Sequence, residues 1–101
     1  MEMVGKEIVV QKYGGSSVAT IERIKKVAVY IKKVAKSKRV VAVVSAMGEE
    51  TDRLIQLARE VSGGTPPVPE LDKLLVTGEV QSASLLAMAI QSLGQEFDLL
   101  S

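Results

Sequence analysis

Two short β-branched runs, each stopped by a loop of small residues and separated by one amphipathic segment, constrain this chain more than any other feature. The first is Glu7-Ile8-Val9-Val10-Gln11-Lys12-Tyr13, ending at Gly14-Gly15. The second is Val40-Val41-Ala42-Val43-Val44-Ser45, running into Ala46-Met47-Gly48. Runs of this length and composition predict strands over 7–13 and 40–45. Between them Ile21, Ile24, Ala28, Ile31 and Ala35 recur at spacings of three and four, which predicts a helix over 21–36 with one apolar stripe. Thr20 is its expected N-cap, and Glu22 sits in the first turn, where the helix dipole favours an acid. Strand, helix, strand in that order implies parallel strands and a right-handed crossover. The second run is apolar throughout, as a strand covered on both faces would be.

The rest of the chain reads as helical. A helix is predicted over 52–61, capped by Thr51, with Leu54, Leu57, Ala58 and Val61 facing inward. Residues 62–67 form a connector. A short helix follows Pro69, a residue suited to the first helical position, and Gly78 is expected to interrupt it. A further helix over 80–93 is apolar nearly all round, hence expected to be buried, and Gly94 ends it. Residues 97–100 are expected to begin a third strand. The order β-α-β-α-α-α-(β) belongs to the α/β class. A length of 101 residues suits one domain. Two strands and part of a third are fewer than a complete doubly wound sheet needs, so the chain reads like the first part of something larger.

Composition removes several chemistries. The sequence has no Cys, His or Trp. A thiol nucleophile, a Ser-His-Asp triad, a zinc site of the usual N/S kind and a disulfide framework are therefore excluded. A metal would have to meet carboxylate or phosphate oxygens, which suits Mg²⁺. Thirteen Lys and Arg against twelve Asp and Glu give a net charge of +1, so no global charge argues for a nucleic-acid partner. The charge is uneven: residues 1–40 carry ten basic and three acidic side chains, and residues 41–101 carry three basic and nine acidic. Lys25, Lys26, Lys32, Lys33 and Lys36 lie opposite the apolar stripe of the first helix and read as a solvated face. No uninterrupted apolar run approaches the roughly 18 residues of a membrane span, and the start lacks a signal peptide's apolar core. The expectation is a cytoplasmic protein without membrane or nucleic-acid partners.

In open α/β sheets, ligands bind beyond the carboxyl ends of the strands. The first strand ends in Lys12-Tyr13-Gly14-Gly15-Ser16-Ser17. Two glycines let the backbone approach a phosphate, exposed N–H groups favour an anion, and Lys12 supplies a compact positive charge. The order differs from a P-loop, because the lysine precedes the glycines. A tight turn explains the same residues without a ligand. Glu79, at the expected head of a helix, could cap that helix or bind the amine of a small polar substrate. Ser45 and Thr51 could each close or cap an element or bind a carboxylate.

Three separated strings resemble the aspartokinase family. They are Val9-Val10-Gln11-Lys12-Tyr13-Gly14-Gly15-Ser16-Ser17-Val18, then Val44-Ser45-Ala46-Met47-Gly48 with Thr51-Asp52-x-Leu54, then Leu75-Val76-Thr77-Gly78-Glu79 followed by Ser82-Ala83-x-Leu85-Leu86-Ala87-Met88-Ala89. The resemblance covers residues 8–94. It implies a three-layer α/β/α sandwich of the amino-acid-kinase (carbamate-kinase-like) type, present here in part. It also implies an intact protein that transfers the γ-phosphate of ATP, bound with Mg²⁺, to the side-chain carboxylate of L-aspartate. That is the first step toward lysine, threonine and methionine. By the same resemblance Lys12 neutralises the transferring phosphoryl group and Gly14, Gly15 and Ser16 hold the ATP phosphates. Ser45 and Thr51 contact aspartate, and Glu79 receives its ammonium group; no residue is assigned to a metal.

Past Gly94 the match weakens, and the family's kinase domain is more than twice this long. Residues 1–101 are thus expected to be the N-terminal portion of such a domain, without its nucleotide-binding half or its ACT regulatory domains. The isolated chain is expected to be inactive and to self-associate through an unpaired sheet edge or apolar helix faces. The rival readings are a binding module for an amino acid or anion without catalysis, and a relative acting on glutamate, acetylglutamate, carbamate or a nucleotide.

Overall fold

A computed structural model describes residues 6–99 of the chain. The element order is β1 (Ile8–Tyr13), α1 (Ile21–Val34), β2 (Arg39–Val44), α2 (Glu50–Ser62) and α3 (Val68–Ser92). β1 and β2 pair in parallel, from Ile8 opposite Arg39 to Tyr13 opposite Val44. Both strands therefore end at the same level, and the Ser45 amide extends the ladder by donating to the Tyr13 carbonyl at 3.0 Å. α1 is the crossover between them. Thr20 caps it as expected: its extended backbone turns the side chain toward the helix, and Oγ1 accepts from the Arg23 amide at 3.2 Å.

The core lies between the sheet, α1 and α3. Val18, Ile24, Val27, Ala28, Ile31, Leu86 and Ile90 are buried together, with Tyr13, Val40 and Val44 of the sheet packed against them. The inward face of α1 is thus Ile24, Val27, Ala28 and Ile31; Ile21 is half exposed.

Several expectations are corrected. First, α3 is one continuous helix of 25 residues, not two helices divided at Gly78. Glycine in a helix interior costs roughly 0.5–1 kcal/mol relative to alanine, and a close contact with Ala46, described below, accounts for its presence. Second, α3 is not buried all round. Gly78, Ser82, Leu86, Ala87 and Ile90 face inward, whereas Val76, Val80 and Met88 are at least half exposed, because α1 and α2 meet only one side. Third, β2 is covered on one face only. Val41 and Val43 join Ile8 and Val10 on an open face, so two layers of the α/β arrangement are formed among the described residues. In α2, likewise, Leu54 and Ala58 are buried but Leu57 and Val61 are exposed.

Fourth, residues 95–99 form no strand. They line an apolar groove of about 260 Å³ with Val40, Ala42, Leu86 and Ile90 instead of pairing with β2. Glu96 and Asp98 alternate with Phe97 and Leu99 there, and acidic residues of this kind are poor strand formers. Leu100, the end of the expected strand, lies outside the described residues. α3 is also long and apolar enough by length and composition to cross a membrane, although charged and polar residues interrupt its apolar runs. Here it is the central helix, packed on both other helices and on β2.

Candidate functional site

The candidate site lies where the two strands stop. Residues 14–19 leave β1 in successive tight turns: the amides of Ser17, Val18 and Ala19 donate to the carbonyls of Gly14, Gly15 and Ser16 at 3.0, 3.3 and 3.4 Å. Val18 at the end of these turns is fully buried and anchors the loop in the core. Arg23, on the first turn of α1, reaches back and donates from Nη1 to the Ser16 carbonyl at 2.7 Å. This places a guanidinium beside the loop. Sequence reading missed Arg23; its position three residues after the Thr20 cap is the signal that could have found it.

The second loop lies against the first. The Gly48 amide donates to the Gly15 carbonyl at 3.0 Å. A β-carbon on Gly15 would come within 3.0 Å of the Gly48 carbonyl oxygen and 3.1 Å of that of Ala46. A side chain at 15 would press on the backbone of the second loop, and glycine lets the two loops touch without that strain. Ala46 is buried on its other side against Gly78 of α3, where an added β-carbon would meet the Ala46 Cβ at 2.9 Å. Ser82, one turn further along α3, is fully buried and donates its hydroxyl to the Gly78 carbonyl at 3.4 Å. Two small residues in succession thus let α3 sit close to the second loop.

Lys12 is exposed on β1, opposite Val43 and two residues short of the loop. Strand alternation sends Tyr13 to the other side, where its hydroxyl donates to Gln11 Oε1 at 2.6 Å. Burial, with the neighbouring Tyr30, holds the Tyr13 phenol above its ordinary pKa. Ser16, Ser45, Thr51 and Glu79 are also exposed, and Gly15 is partly covered by the second loop.

Two local roles expected for these residues are corrected. Thr51 does not cap α2. The N-cap is Glu49, without a side-chain bond, and Thr51 is the second helical residue. Glu50 accepts a short bond from Arg53 Nε, which holds its carboxyl below the usual range and secures the first turn instead. Glu79 is not at a helix head but in the middle of α3, so capping does not explain it. A shallow depression of about 620 Å³ opens beside these residues, lined by Met47, Glu49, Glu50, Asp52, Arg53 and Gln81.

Gly15, Ala46 and Gly78 meet at the strand ends, with Ser45 and Glu79 beside them in sequence, whereas Lys12 lies on the open face of the sheet with Val10 and Val43. At Gly15 the space a side chain would need is taken by the carbonyl oxygens of Gly48 and Ala46, while Gly14 faces open space. Among the described residues no cluster of three or more His, Cys, Asp or Glu that could hold a metal converges.

The model of the amino acid kinase family matches residues 7–100. The chain belongs to that family. Over 90 residues it is 57% identical to the aspartokinase of Mycolicibacterium smegmatis, covering 88% of this chain and 21% of the relative. It is 58% identical over 90 residues to the aspartokinase of Mycobacterium tuberculosis (strain H37Rv), covering 86% and 21%. Its fold superposes on the crystal structure of aspartate kinase from Synechocystis with a TM-score of 0.86 and 47% identity, covering 90% of this chain and 16% of that one. The chain thus spans about a fifth of the length of the curated relatives it matches. The parallel strands and helical crossover agree with the fold expected of an amino acid kinase.

Proposed function

We propose that this chain carries the phosphoryl-transfer loop and the amino-acid-binding residues of an aspartate kinase. In this reading the intact protein converts L-aspartate and ATP to 4-phospho-L-aspartate and ADP, in the cytoplasm, as the entry to lysine, threonine and methionine synthesis. Residues 1–101 are the N-terminal portion of its kinase domain. The observation that supports the reading is the meeting of all three aspartokinase-like strings at Ala46: its carbonyl faces Gly15, and its methyl faces Gly78 beside Glu79.

Phosphoryl transfer asks a protein mainly for positioning and charge neutralisation. A substrate carboxylate is already a nucleophile, so a chain without His or Cys can serve. Glu79 takes the ammonium group of aspartate, and the Ser45 and Thr51 hydroxyls donate to its carboxylates. This aims a side-chain oxygen at the γ-phosphorus. Gly14, Gly15 and Ser16 hold the phosphates with backbone and hydroxyl donors. Lys12 stays with the moving phosphoryl group as negative charge shifts toward the leaving ADP oxygen. Mg²⁺, when bound with ATP, neutralises the phosphate oxygens.

The test is a graft: the 90 aligned residues replace their counterparts in the Mycolicibacterium smegmatis aspartokinase. Aspartate-dependent ADP release is expected from the graft and not from the isolated 101 residues. A folded graft without aspartate-dependent turnover, or one equally active on glutamate, would count against the reading.

The isolated chain is also proposed to self-associate. Among the described residues its two-stranded sheet has two unpaired outer edges and an open face of Ile8, Val10, Val41 and Val43. Unpaired strand edges template further pairing. Light scattering is expected to give a mass that rises with concentration; a constant monomer would refute it.

A further inference from the structure

We infer that Gly78 and Ala46 are positioning residues that set the separation of Ser45, Thr51 and Glu79, an inference that rests on the aspartate-binding reading above. Gly78 is buried in α3 and is not among the glycines with positive φ, so its backbone would accept alanine. What the position demands is space. A β-carbon there would lie 2.9 Å from the Ala46 Cβ and 3.5 Å from both Glu50 Cγ and Leu54 Cδ1. Ser45 precedes Ala46, Thr51 follows Glu50, and Glu79 follows Gly78. The three candidate aspartate ligands therefore stand next to the members of a single contact, and they come from a loop, α2 and α3.

Ala46 also faces the phosphate loop. A β-carbon on Gly15 would lie 3.1 Å from its carbonyl oxygen, and the neighbouring Gly48 amide is bonded to Gly15. One small residue thus separates the carboxylate-bearing helix from the glycine turn. A contact of 2.9 Å between two β-carbons has to be relieved by moving α3 or the loop. Misplacement of positioned groups by about an ångström lowers reactivity on the order of a hundredfold.

The test compares the unchanged chain, Gly78→Ala and the double variant Gly78→Ala/Ala46→Gly by ¹H–¹⁵N NMR, without ligand and with L-aspartate. The double variant removes the 2.9 Å contact and leaves only the ordinary 3.5 Å ones. Gly78→Ala is expected to displace the amides of Ser45, Thr51 and Glu79 and to weaken L-aspartate binding at least about tenfold. The double variant is expected to restore both. A role in stability alone would move the melting temperature without this paired loss and recovery. Unmoved amides in Gly78→Ala, or amides that stay displaced in the double variant, would overturn the inference. If Gly78→Ala does not fold, recovery of the fold and amide positions in the double variant supports it, and failure of both refutes it. If the unchanged chain binds no L-aspartate, the aspartate reading fails in this chain, and the ligand-free amide positions still decide the inference.

Discussion

Lys12→Ala, placed in the grafted aspartokinase, is expected to lower kcat by about 10²–10³-fold, the loss typical of removing one charge-stabilising group from a reacting centre. β1 places Lys12 one residue before its end with the side chain exposed, while Gln11 and Tyr13 turn toward the helices. Nothing in the core depends on Lys12, and surface substitutions of this kind usually change stability by no more than about 0.5 kcal/mol. Lost turnover would therefore reflect chemistry. KM for L-aspartate is expected to change little, because Ser45, Thr51 and Glu79 are untouched. Lys12→Arg keeps the charge but substitutes a planar fork for a compact ammonium, and is expected to recover only part of the rate. Steady-state kinetics of the three grafts are the measurement; a Lys12→Ala graft within about tenfold of its parent would remove Lys12 from the mechanism.

Ile24→Ala has the largest expected effect on stability. Ile24 is 2% exposed and sits amid Val18, Val27, Ala28, Ile31, Leu86 and Ile90, where α1 meets α3. Truncating a buried isoleucine to alanine costs about 2–5 kcal/mol, from lost burial plus the cavity left behind. Small domains hold only about 5–15 kcal/mol in total, and this chain leaves four large aliphatic side chains of its sheet exposed. Urea unfolding is expected to show a midpoint shifted strongly down with an unchanged slope. Because Val18 belongs to the same cluster, the glycine turn should loosen together with the core. A loss below about 1 kcal/mol would mean that the core collapses around the missing atoms.

The parts of this fold governed by local rules were legible in the sequence. β-branched runs and their glycine stops located both strands to within a residue, and the Thr20 cap began α1 where its side chain could reach Arg23. Parallel pairing followed from the single helix between the strands. Where tertiary contact overrides local preference, the sequence was silent or misleading. Gly78 reads as a helix break, and only its approach to Ala46 explains why α3 runs through it. The same contact turns Glu79 from an apparent cap into an exposed mid-helix carboxylate. Thr51 reads as a cap, but Glu50 with Arg53 secures the start of α2 and leaves Thr51 within the helix. The open side of β2 was equally hidden, since an all-apolar strand looks the same whether one face or two are covered. At the site, the strings identified which residues to consider, while the partnership of Gly15, Ala46 and Gly78 emerged only in three dimensions.

The central claim is that these residues handle L-aspartate and a phosphoryl group together, and the product of the graft tests it most directly. With L-aspartate and Mg·ATP, transfer to the side-chain carboxylate forms an acyl phosphate that hydroxylamine converts to aspartyl hydroxamate with release of phosphate. The account predicts hydroxamate in step with ADP, and loss of both in the Lys12→Ala graft. A folded graft that releases ADP but gives no hydroxamate would contradict it, because the phosphoryl group would then be passing to water and not to aspartate.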